Sequence, residues 1–88
     1  MTRDEILREV KNVLFGTAEG QEFRDAQLKL YIEEVISFMM RAGVSEEVAL
    51  SPSSVVTIAI GVNDLWNYSS GDSRLSPYFM QRVTQLKL

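Results

Sequence analysis

Apolar and polar residues recur along this chain with the period of helices. Ile6, Val10, Val13 and Leu14 come three or four places apart and mark one side of a first helix. Thr2 and Glu5 stand ahead of it at capping-box spacing, and Gly16 follows Phe15 where a left-handed residue ends a helix. Residues 17–21 read as a connection. A second helix begins between Glu22 and Asp25, with Leu28, Ile32, Val35 and Met39 as its stripe and Tyr31, Ile36 and Met40 beside it. Lys29, Glu33 and Glu34 occupy its outer face, and Ala42-Gly43 closes it. Ser45-Glu46-Glu47 predicts one further turn through Val48 and Leu50.

The tripeptide Leu-Ser-Pro then occurs twice, at residues 50–52 and 75–77, each time ahead of an apolar-patterned segment. Serine offers an acceptor to a first-turn N–H, and proline gives up an N–H that had no partner. The leucines suit hydrophobic staples to Val55 and Met80. The first copy opens a third helix, Pro52 to about Tyr68. Its Val55-Val56-Thr57-Ile58 run has strand propensity. Against that, the segment is long, and Val55, Ala59, Val62 and Trp66 share a face with Ile58 and Leu65 beside it. Apolar residues on more than one face make it a central helix packed on two sides. Ser69 to Asp72 is a turn, and the second copy opens a closing helix, Pro77 to about Leu86, with Phe79, Val83 and Leu86 inward.

The expected fold is therefore all-α: one domain over residues 1–88, a bundle of about four helices packed around the apolar third. Its core residues are Ile32, Val35, Val55, Ala59, Val62, Trp66, Phe79 and Val83. Gly61, inside the third helix, costs roughly 1 kcal/mol against alanine. Close helix–helix approach is the reason that position would need it.

Composition narrows the chemistry. The chain has 88 residues with neither cysteine nor histidine. Disulfides, thiolate metal sites and the commonest general base are thereby removed. No acidic cluster has calcium-loop spacing. Glu33-Glu34 and Glu46-Glu47 are adjacent pairs that diverge on a helix, and Ser51, Ser53 and Ser54 lack a histidine to activate them. No catalytic residue, cofactor or metal is expected. The uncharged stretch Leu50–Asn63 is too short to span a bilayer, and the charged N-terminal residues lack a signal-peptide core, so a soluble cytosolic chain is expected. A net charge of −3 argues against a broad grip on nucleic acid. After Asp72, however, the chain carries Arg74, Arg82 and Lys87 and no acid. Helix-dipole complementation accounts for Arg82 and Lys87 but not for Arg74. With Tyr78, these cations form a candidate docking segment for an acidic neighbour.

The order of these features has a known likeness. An amphipathic first helix leads to Asp25 with Leu28, Ile32 and Val35, then to an uncharged helix ending in Leu65-Trp66-Asn67-Tyr68. Leu75-Ser76-Pro77 with Phe79, Val83 and Leu86 closes the chain. Over nearly all 88 residues this resembles the tailed-phage head–tail connector (adaptor, or head-completion) family. It departs from that pattern in having Trp66 where tyrosine is commoner, and in lacking the arginine that often follows. The resemblance implies a structural virion protein and no enzyme. It implies a homo-oligomeric ring beneath the portal protein, extending the DNA channel and presenting a platform to a neck or tail-completion protein. Duplex DNA would pass without specific binding, no membrane would be involved, and assembly would occur in the host cytoplasm. Arg74, Tyr78, Arg82 and Lys87 would contact portal or a neighbouring subunit. Two other classes fit a helical chain of this size. One is a DNA-binding regulator, which should expose several basic residues on a recognition helix. The other is a dimeric protein-interaction module.

Overall fold

A computed structural model describes residues 1–16, 25–67 and 75–87. Among them lie five α-helices and no strand: α1 (Arg3–Phe15), α2 (Asp25–Arg41), α3 (Glu46–Ala49), α4 (Val55–Asn67) and α5 (Pro77–Leu86). The all-α class and the central apolar helix, here α4, are as expected. The region Val55 to Val62 is helical despite its β-branched residues, because tertiary burial outweighs local propensity.

The ends of the helices follow from short-range hydrogen bonding. Thr2 Oγ1 accepts the Glu5 N–H at 3.1 Å, while the Glu5 carboxylate accepts the Thr2 N–H at 2.8 Å. Gly16 ends α1 at φ 72°, its N–H donating to the Asn12 carbonyl at 2.9 Å. At the end of α2, Gly43 has φ 112°; its N–H reaches Met40, and the Val44 N–H reaches Met39. That pair of bonds is a Schellman ending, with buried Val44 as its apolar latch. Ser45 caps the expected extra turn, accepting the Val48 N–H at 3.2 Å.

The two Leu-Ser-Pro copies behave differently. Ser76 caps α5, its hydroxyl accepting the Phe79 N–H at 3.2 Å. Ser51 makes no such cap, and this corrects the expectation. Pro52–Ser54 instead forms a 3₁₀ turn, and α4 starts at Val55. In that tighter turn the Ser54 N–H is already taken by the Ser51 carbonyl at 3.0 Å. The Ser51 hydroxyl therefore turns back to the Val48 carbonyl at 2.7 Å, which also accepts the buried Ser54 hydroxyl at 2.6 Å. The staples differ as well: Leu50 and Val55 are both shielded, whereas Met80 is 41% exposed and only Leu75 packs on the core.

α1, α2 and α5 each pack on α4. Ile32, Val35, Val55, Ala59, Val62, Phe79 and Val83 are buried as expected. Trp66 is not: it is half-buried at the margin, its ring edge-on to Tyr31 at 5.9 Å between centroids. It sits a full turn beyond Val62, where α4 leaves the core. Val13 is a second correction, at 48% exposed. The buried face of α1 is Ile6, Leu7, Val10 and Lys11, and at 100° per residue Val13 falls on its outer edge. Gly61 behaves as expected. A Cβ there would lie 2.7 Å from Phe79 Cε1 and 2.9 Å from Val35 Cγ1, so α2, α4 and α5 meet at this point.

Candidate functional site

The docking segment expected from the charge layout lies on α5. Arg74 falls outside the described residues. Arg82 is engaged by its own domain: its Nε donates to the buried Thr57 hydroxyl at 3.0 Å, and its guanidinium lies 5.9 Å over the Tyr78 ring. A second nitrogen reaches the Tyr78 hydroxyl at 3.4 Å. Thr57 is an interior hydroxyl of α4, and Arg82 supplies it with a donor, so this arginine pins α5 to α4. Tyr78 is 57% exposed. The alkyl chain of Lys87 lies against Gly43. Tyr78 and Arg82 thus act together, whereas Lys87 sits on the other flank of α5.

Tyr78 borders a groove. α1 and α5 flank α4 on either side, and between them the α4 residues Ala59, Ile60 and Asn63 form the floor. Val13 and Leu14 make one wall of this space of about 450 Å³, and Tyr78 and Ser76 make the other. Asp64 closes the end, its carboxylate accepting the Ser76 N–H at 3.0 Å. Towards the start of α4 the floor continues through Val56, Val55 and Pro52 under Glu5, Arg8, Glu9 and Val13 of α1, a space of about 520 Å³. The lining is apolar at its base and charged along the α1 rim. The Glu5 carboxyl is held below the usual carboxylate range, chiefly because the Thr2 N–H donates to it.

Two charged contacts were not legible in the spacing of residues. Lys11 is buried, and its ammonium meets the Asp25 carboxylate at 3.0 Å, joining α1 to the first residue of α2. The signal that could have exposed it is its place on the apolar face of α1, beside Leu7 and Val10. Arg3 pairs with Glu33 across α1 and α2. The other acids of the adjacent pairs, Glu34, Glu46 and Glu47, are exposed. Among the described residues no three histidines, cysteines or acids converge as a metal site. Nor is any helix among them long and apolar enough to cross a membrane.

Comparison of the chain with protein-family models, with curated proteins and with solved structures finds no match.

Proposed function

We propose that this chain is a structural subunit of a phage neck, a head–tail connector that assembles as a ring beneath the portal and prolongs the DNA channel. The observation that carries the reading is α4. It is a 13-residue helix whose only charged residue is Asp64, gripped by three other helices and followed by an α5 that Leu75-Ser76-Pro77 introduces. That is the arrangement the sequence resemblance implies. The chemistry of the surface agrees with it: the domain is acidic overall, which suits a wall past which DNA must slide without adhering. A DNA-reading regulator is supported less well, because α4 presents no cation and Arg82, the one arginine of α5, is tied to Thr57 and Tyr78.

The test is co-assembly. Purified protein mixed with portal of the same phage should sediment with it and appear in negative stain as an added ring. Failure to join portal, together with salt-dependent binding to duplex DNA in a gel shift, would replace this reading with the regulator.

A further inference from the structure

We draw no further inference here: the strongest candidate, the groove between α1 and α5 floored by α4, has a rim on which the Met1 ammonium and Arg8 offset Glu5 and Glu9, and nothing in the structure shows what covers it.

Discussion

The Lys11 side chain is only 5% exposed, and its ammonium sits 3.0 Å from the carboxylate of Asp25, whose side chain is 28% exposed. The two members of this pair are therefore not equivalent. Removing the acid strands a cation in the interior, whereas removing the cation leaves a carboxylate with access to water at the first residue of α2, where the helix dipole favours it. Asp25→Ala is expected to lower stability by about 2 kcal/mol, less than for a fully enclosed pair because water still reaches the site. Lys11→Met is expected to stay within about 1 kcal/mol of the parent, since its alkyl stem already packs as an apolar group. Urea unfolding of both variants checks the asymmetry; equal losses would contradict it.

Gly61 gives a prediction opposed to helix propensity. Alanine should favour α4 locally by about 1 kcal/mol. Its methyl would instead press into Phe79 and Val35, and overpacking of that kind costs roughly 1–3 kcal/mol. Gly61→Ala should therefore be net destabilising in thermal unfolding. Combined with Val35→Ala, which opens space on α2, it should cost less than the sum of the two single changes. Strict additivity would show that the crowding is relieved some other way.

The serines of the repeated tripeptide should separate on mutation. Ser76→Ala removes a working cap and should cost about 1 kcal/mol. Ser51→Ala removes one of the donors to the Val48 carbonyl, which keeps the Ser54 hydroxyl, and an exposed hydrogen bond with the Ser53 hydroxyl, so its loss should be smaller. Paired melting curves decide the matter, and a larger loss at Ser51 would count against the 3₁₀ turn.

Acid should act through the capping box. Glu5 titrates lower in the folded chain than in the unfolded one, so its contribution to stability is complete above its ordinary value of 4.5. That contribution is lost as pH falls through the lowered folded value, where the carboxylate takes up a proton. The melting temperature of the parent should thus exceed that of Glu5→Gln near neutrality, with the gap closing in acid. A gap independent of pH would exclude the charge as its origin.

Much of this architecture was legible from periodicity and punctuation, and the departures have specific causes. α4 could be recognised as helical because its apolar residues fall on helical faces over more than three turns. Val13 misled because a stripe counted from Ile6 also fits a face rotated by one residue, and only burial of Leu7 and Lys11 distinguishes the two. Ser51 and Ser76 share a tripeptide, and what separates them lies outside it: the Val48 carbonyl, three residues back, accepts the Ser51 hydroxyl, whereas the Asp64 carboxylate accepts the Ser76 N–H. The candidate docking residues were the least legible. Charge along the chain names Arg82, but the interior hydroxyl of Thr57, 25 positions away, is what occupies it. A groove assembled from α1, α4 and α5 has no signature in any one of them.

Since α1, α2 and α5 all lean on α4, its middle cannot open while the rest of the molecule stays closed. Amide protons around Ala59 and Val62 should therefore exchange with deuterium only as fast as the entire domain unravels, so they gauge its total free energy of folding. The peripheral helices have no such obligation. Their outer turns can fray first, so amides there should exchange sooner while the spine keeps its form.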